Sequence, residues 1–242
     1  RPVLWALTAE MRLSVMAAHH PVNLARGSMA TAGLVQRFRE IIAEARSASG
    51  EDSLLRDLIR ARDHGLLSED ELLAQLTLLL YGGEANSQNL VGNAVLALLR
   101  HPDQLDLLRH RPGLIESAVT EFLRYDGPAQ VLLRRALSDL PIGDVVIPAD
   151  ARVLLLLGAA NRDPAAFENP DCLDITRHPN PHLGLGHGLH YCVGASLARL
   201  EARITIAALL DRLPGLRLAT APPDWYEVPV IRGLKALPVA WT

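Results

Sequence analysis

The stretch richest in chemistry is Leu185-Gly186-His187-Gly188-Leu189-His190-Tyr191-Cys192-Val193-Gly194. Glycines, histidines and a cysteine gather there, just ahead of a segment with helical periodicity. A cysteine before a helix start meets the positive end of the dipole and unpaired backbone N–H groups. Those surroundings favour thiolate over thiol. The glycines permit positive φ, or let the backbone pass close to a flat object. A thiolate presented this way suits a haem iron. Three other readings compete. Cys192 can be an inert buried thiol, the usual fate of a lone cysteine. It can be a nucleophile with His187 or His190 as base. His187, His190 and Cys192 can also bind zinc, although that spacing supplies only three ligands and no second cluster.

Two weaker constellations stand upstream. Glu121-Phe122-Leu123-Arg124 places an acid and a base at i, i+3 on one helix face. Its ordinary reading is a solvated surface pair worth a few tenths of a kcal/mol. Tyr81-Gly82-Gly83-Glu84-Ala85-Asn86-Ser87 interrupts a long helical pattern. Adjacent glycines cost ~2 kcal/mol relative to alanine in a helix interior. Either a kink or close helix crossing is tolerated there, or something must approach the backbone.

The elements that position these residues are mostly helical. Thr31–Ala48 carries apolar Leu34, Phe38, Ile41, Ile42 and Ala45 near a 3.6 period and ends at Ser49-Gly50. Leu54–Asp63 forms a second helix, closed by His64-Gly65. Ser68 and Glu71 match a capping box. From there a helix runs to Arg100, where His101-Pro102 stops it, a span of roughly 45 Å at ~1.5 Å per residue. Its middle, Leu76–Leu80, is apolar on every side and predicts burial. Pro102–Leu108 and Leu114–Tyr125 follow as helices. Val145–Pro148 and Arg152–Leu157 read as two short strands around a Pro148-Ala149-Asp150 turn. Asn161–Leu185 is an irregular connection of the length that is often functional. Gly194–Leu213 reads as an amphipathic helix with Leu197, Leu200, Ile204, Ala207 and Leu210 on its apolar side. Short strands and turns follow Pro214.

The chain has 242 residues and a net charge of −3. Such a balance, without a Lys/Arg block, gives no ground for a nucleic-acid partner. No apolar run is long enough to span a bilayer, and no signal peptide is visible, so no membrane partner and a cytoplasmic location are expected. The only cysteines, Cys172 and Cys192, do not make a disulfide framework and fit a reducing compartment.

Taken together, these segments resemble the cytochrome P450 family, specifically its soluble bacterial members. Leu185–Gly194 is similar to the haem loop F-G-x-G-x-H/R-x-C-x-G. Glu121–Arg124 is similar to the E-x-x-R pair, and Leu79–Ser87 to the oxygen-binding kink A-G-x-E/D-T. Asn161-Arg162-Asp163-Pro164 with Phe167 matches a stretch after the paired strands. The resemblance implies a mainly α P450 fold with small β elements, residues 1–242 forming one domain whose N-terminal part is missing. It implies haem b, with Cys192 as the iron ligand and Leu185, Gly186 and Gly194 shaping the loop. His190 and Arg134 are the implied partners of the haem propionates, with Arg135 the neighbouring alternative. Gly82 and Gly83 would leave room for dioxygen. The implied activity is oxidation of a small organic molecule of secondary-metabolite type by dioxygen. Electrons would come from a ferredoxin or flavodoxin, with Arg100, Arg109, Arg111 and Arg199 as docking charges. A degenerate haem-binding protein and a peroxide-driven enzyme are the rival expectations.

The sequence departs from the family pattern in four places. The acid–alcohol pair of the central helix falls on Ala85 and Asn86, so the distal site comprises Gly83, Ala85, Asn86 and Ser87. Asn86 donates and accepts hydrogen bonds but does not titrate. Leu185 replaces the haem-loop aromatic. The arginine that joins the Glu–Arg pair falls near Cys172, with Arg177 as substitute and Cys172 as a structural thiol. The N-terminal portion of the fold is absent.

Overall fold

The computed structural model describes residues 4, 6–8, 21–47, 52–227 and 230–241. The chain divides into two compact units, Arg1–Ala85 and Asn86–Thr242, and the boundary falls inside a long helix.

The first unit contains α1 (Pro21–Ser47), α2 (Leu54–Asp63) and the start of α3 (Glu69–Arg100). Proline suits the first turn of α1, where its missing N–H has no helical partner to lose. Ala30, Leu34, Phe38 and Ile42 repeat at helical spacing and bury against Ile59, Leu72, Leu73 and Leu76. The helix therefore begins at Pro21, upstream of the expected Thr31, while its expected stop at Ser49-Gly50 lies outside the described residues. Ser53 caps α2 by accepting the Arg56 N–H. Gly65, at φ +73°, turns the chain after His64. The predicted capping box forms: Ser68 N–H donates to Glu71 Oε2 at 2.7 Å, and Glu71 N–H to Ser68 Oγ at 3.2 Å. The Ser68 N–H, with the Ser68 hydroxyl donating to the same oxygen at 2.8 Å, holds the Glu71 carboxyl below its ordinary range.

Two expectations for α3 are corrected. Its backbone is helical through Gly82–Ser87 without interruption. Burial of Leu76–Leu80 also fails, since Leu76 is buried while Leu78 is 60% exposed. Leu72, Leu73 and Leu76 share the face that meets α1; Leu78 lies round the other side, where no described element covers it.

The second unit packs the rest of α3 with α4 (Pro102–His110), α5 (Ile115–Tyr125) and α7 (Ala195–Arg212), α6 being the short Leu157–Ala160. Its core joins Leu90, Ala94 and Leu98 of α3 to Val119, Phe122 and Leu123 of α5 and Ala202 and Ile206 of α7. Four two-stranded sheets complete the unit. The two expected strands exist as β3 (Val145–Ile147) and β4 (Arg152–Leu156), but they do not pair with each other. β3 pairs with β2 (Leu140–Ile142) across Gly143, which takes φ +56°. β4 pairs with β1 (Val131–Arg135), with Leu133 opposite Leu154 and Arg134 opposite Val153. A hairpin is thus nested between β1 and β4, whose pairing spans too long a sequence gap for local turn signals to reveal. β5 (Arg217–Leu218) pairs with β8 (Val239–Ala240), and β6 (Asp224–Trp225) with β7 (Leu234–Ala236).

The face expected to bury α7 is also corrected. Ala195, Ala202 and Ile206 form the seam in the core, whereas Leu197, Leu200, Ile204 and Ala207 are exposed. Of the expected stripe only Leu210 packs against the core. At 100° per residue the two rows lie about half a turn apart. The helix is apolar on two sides, and the side with smaller residues fits the tighter interior.

Candidate haem-loop and meander site

The Glu121–Arg124 pair is a closed core and not a surface ion pair. Both side chains are 0% exposed. Arg124 Nε donates to Glu121 Oε2 and Nη2 to Oε1, both at 2.7 Å. Its remaining donors reach backbone oxygens of the irregular connection: Asn161 O at 2.9 Å, Pro170 O at 2.7 Å and Cys172 O at 3.0 Å. All five guanidinium N–H groups are therefore used. Glu121 also accepts from Asp174 N–H at 3.0 Å, from Asn180 Nδ2 at 2.9 Å and from Arg177 Nε at 3.2 Å. Arg177 takes the third place, as expected. Cys172 contributes through its carbonyl, while its thiol side is exposed and so is not a core thiol. Asn180 and Asp174 were not singled out from sequence, and Asn161 stood there only as the start of the Asn161–Pro164 match. The one available signal was chemical: a buried carboxylate with a guanidinium requires many further partners, and Asn161–Leu185 is rich in polar groups.

The connection runs from this cluster into the cysteine loop. Asn161 is buried and its Oδ1 accepts Leu183 N–H at 2.7 Å. Gly186 and Gly188 take φ +77° and +68°, a region that L side chains rarely adopt. A 3-10 turn, Gly188–His190, follows, and Cys192 N–H donates to Leu185 O at 2.9 Å. Leu185 anchors the loop in the core, and half-buried Cys192 packs beside it. Gly194 precedes α7 without a side-chain cap, which leaves the helix end open next to the thiol. Leu189 at 103% and Val193 at 92% exposure project away from the protein.

Two of the competing readings of Cys192, the nucleophile and the zinc ligand, find no geometric support. His187 and His190 are exposed, and neither is hydrogen-bonded to the Cys192 thiol among the described residues. No group of three or more His, Cys, Asp or Glu residues arranged to hold a metal ion occurs among them either, which removes the zinc reading.

Arg134 and Arg135 separate clearly. Arg135 pairs with Asp150 at 2.6 Å. Arg134 is half-buried and donates to its neighbouring Leu133 O at 2.9 Å, with no carboxylate partner among the described residues. Of the expected docking charges, Arg100 and Arg111 are exposed. Arg109 is tied to Pro214 O at 2.8 Å and Arg199 to Tyr191 Oη at 3.2 Å.

On α3, a Cβ at Gly82 or Gly83 would meet no atom within 4 Å. No helix crosses the chain there among the described residues. Ala85 is buried, Asn86 exposed and Ser87 half-buried. Within the first unit a cavity of about 480 Å³ is lined by Thr31, Val35, Leu73, Thr77, Leu78 and Tyr81, among others. No described helix is long and apolar enough to cross a membrane.

Comparison with known proteins accounts for this arrangement. The family model that matches, over residues 28–214, is that of cytochrome P450. Cytochrome P450 107B1 of Saccharopolyspora erythraea is 46% identical over 215 residues, covering 88% of this chain and 53% of that protein. The biotin biosynthesis cytochrome P450 of Bacillus subtilis is 44% identical over 220 residues, covering 90% and 55%. The crystal structure of CalO2 superposes with a TM-score of 0.92 at 38% identity, over 99% of this chain and 60% of that one. P450BioI, solved in complex with an acyl carrier protein ligated to hexadec-9Z-enoic acid, gives 0.92 at 41%, over 99% and 61%. The chain spans about half the length of the curated relatives it matches. With the buried Glu–Arg core, the glycine-bent cysteine loop and a match across most of its length, the chain belongs to the cytochrome P450 family.

Proposed function

We propose that this chain is the C-terminal portion of a single-domain haem-thiolate monooxygenase, and that Cys192 ligates the iron of haem b. The observation that carries the reading is the Cys192 loop, which two positive-φ glycines bend and Leu185 anchors in the core. The residues present fit the group. A lone thiol sits beside an uncapped helix end, next to apolar side chains that project outward, which suits a flat apolar macrocycle with one soft ligand. Arg134, which has no carboxylate partner among the described residues, and His190 would pair with its propionates. Leu185, Gly186 and Gly194 would shape the ground beneath it. When bound, the haem supplies dioxygen activation, which thiolate ligation favours by pushing electron density toward the iron.

This chain's own residues set the conditions of that chemistry. The open space beside Gly82 and Gly83 is room for a small ligand against the α3 backbone. Ala85 offers no proton. Asn86 and Ser87 can orient water by hydrogen bonding, so proton delivery runs through ordered water or a substrate hydroxyl. The substrate is a small organic molecule of secondary-metabolite type. The mostly apolar cavity beside Tyr81 supports that choice, as do relatives named for polyketide and biotin biosynthesis. Electrons come from a ferredoxin or flavodoxin that docks at the exposed Arg100 and Arg111, and the enzyme works in the cytoplasm.

Ala85 favours a second reading, a peroxide-driven enzyme or a degenerate haem-binding protein. Turnover of the full-length protein with ferredoxin plus reductant, against peroxide alone, separates these. Placing threonine at Ala85 or at Asn86 should lower the fraction of reducing equivalents lost as peroxide at least twofold in one of the two variants. A gain of that size shows that Asn86 is not an adequate substitute for the acid–alcohol pair, and no change in either shows that it is.

A further inference from the structure

On the segment between the Glu121–Arg124 core and the cysteine loop, one imidazole holds a backbone N–H two residues on. Gly184 is buried and pressed against α5: a Cβ there would lie 2.4 Å from Leu123 O and 3.2 Å from His182 Nδ1. The acceptor that Gly184 N–H finds is His182 Nδ1, at 3.1 Å. The next links run forward in order. Leu183 N–H is held by Asn161 Oδ1, Leu183 O accepts Gly186 N–H at 2.9 Å, and Leu185 O accepts Cys192 N–H at 2.9 Å.

We propose that His182 is a positioning residue for the Cys192 loop: its unprotonated Nδ1 holds Gly184 N–H and sets the direction in which the chain leaves the Glu121–Arg124 core toward the thiol. The proposal rests on the haem-thiolate reading. The charged groups acting on the ring are Arg199 of α7 and Glu121 and Arg124 of α5, two cations and one anion. A protonated ring would turn a second N–H against Gly184 N–H and add a cation beside Arg199 and Arg124. Burial, with Arg199 next, holds the imidazole down at about 4, so the ring stays an acceptor at neutral pH. Asparagine can reproduce this role, because its Oδ1 falls where histidine carries Nδ1; leucine fills the space without an acceptor.

The test uses the full-length protein with His182→Asn and His182→Leu beside wild type. One readout is the Soret band of the ferrous carbon monoxide complex. The other, independent of haem, is amide exchange across residues 182–192. Wild type and His182→Asn should keep a thiolate-type band in nearly all of the protein and slow exchange. In His182→Leu at least half of the protein should lose that band, and exchange across the segment should quicken at least tenfold. A His182→Leu protein with the wild-type band and wild-type exchange overturns the proposal. Should that variant not fold, the ring itself decides. Nitrogen shifts of wild-type His182 at pH 5.5 must show a neutral imidazole protonated on Nε2, and a charged ring or one protonated on Nδ1 overturns the assignment. Cys192→Ala, run alongside, must lose the thiolate band; if it does not, the haem reading fails, whatever His182 does.

Discussion

The meander core around Glu121 and the loop around Cys192 belong to one stretch of chain, yet they are built in opposite ways. In the core every donor of Arg124 is used, and both carboxylate oxygens of Glu121 accept several bonds. In the loop, Leu189 and Val193 project outward and the α7 end carries no side-chain cap, while Arg134 of β1 has no carboxylate partner among the described residues. The first region pairs both of its ions within these residues, leaving only Asn180 Oδ1 of the cluster buried without a partner among the described residues. The second leaves its apolar side chains exposed and its thiol without a hydrogen-bonded histidine among the described residues, as the proposed haem site requires. A closed region accounts for stability, and an open one is what the proposed haem site requires.

Substitutions should therefore cost stability in the core and binding in the loop. The largest effect belongs to Glu121→Ala, which leaves Arg124 and Arg177 buried without their carboxylate. Loss of one partner of such a pair costs about 3–5 kcal/mol. Urea unfolding of the full-length protein should report a loss of that size, and one below about 1 kcal/mol would mean that the cluster is not a lock. His182 comes next, because it lies on the segment between the two regions and holds Gly184 N–H there. Its folded-state value of about 4 lies below the ordinary 6.5, so the unfolded chain binds the proton more readily. Its contribution is complete above pH 6.5 and is lost as pH falls toward 4. The integrated loss is roughly 3 kcal/mol. In His182→Asn the fall in stability across that window should shrink, and an unchanged pH profile would contradict the assignment. The smallest effect on stability is expected at Leu197→Ser, on the exposed side of α7. Exposed substitutions stay within about 0.5 kcal/mol. A much larger loss in the haem-free protein would show that this side is already packed.

The same contrast explains what the sequence made legible. Leu54–Asp63, the Ser68–Glu71 box and the stop at Arg100 depend on local signals, and they stand where expected. The Cys192 loop was legible because glycine spacing and a following helix are local too. Burial of Glu121 and Arg124 was not, since spacing alone fits a surface pair equally well. Only the fold brings Asn161, Pro170 and Cys172 to the guanidinium. The α7 face was misjudged because periodicity reports which residues are apolar, not which apolar row finds a partner. The β1–β4 pairing was missed because its partners are separated by another hairpin.

The central claim concerns the thiol of Cys192. The most direct measurement is the ferrous carbon monoxide spectrum of the full-length protein after haem reconstitution, compared with Cys192→Ala. The account predicts a red-shifted, thiolate-type Soret band in wild type and its disappearance in the variant, with unfolding midpoints of the haem-free proteins nearly equal. A wild-type protein that takes up haem without that band, or a variant that retains it, would contradict the assignment of Cys192 as the iron ligand.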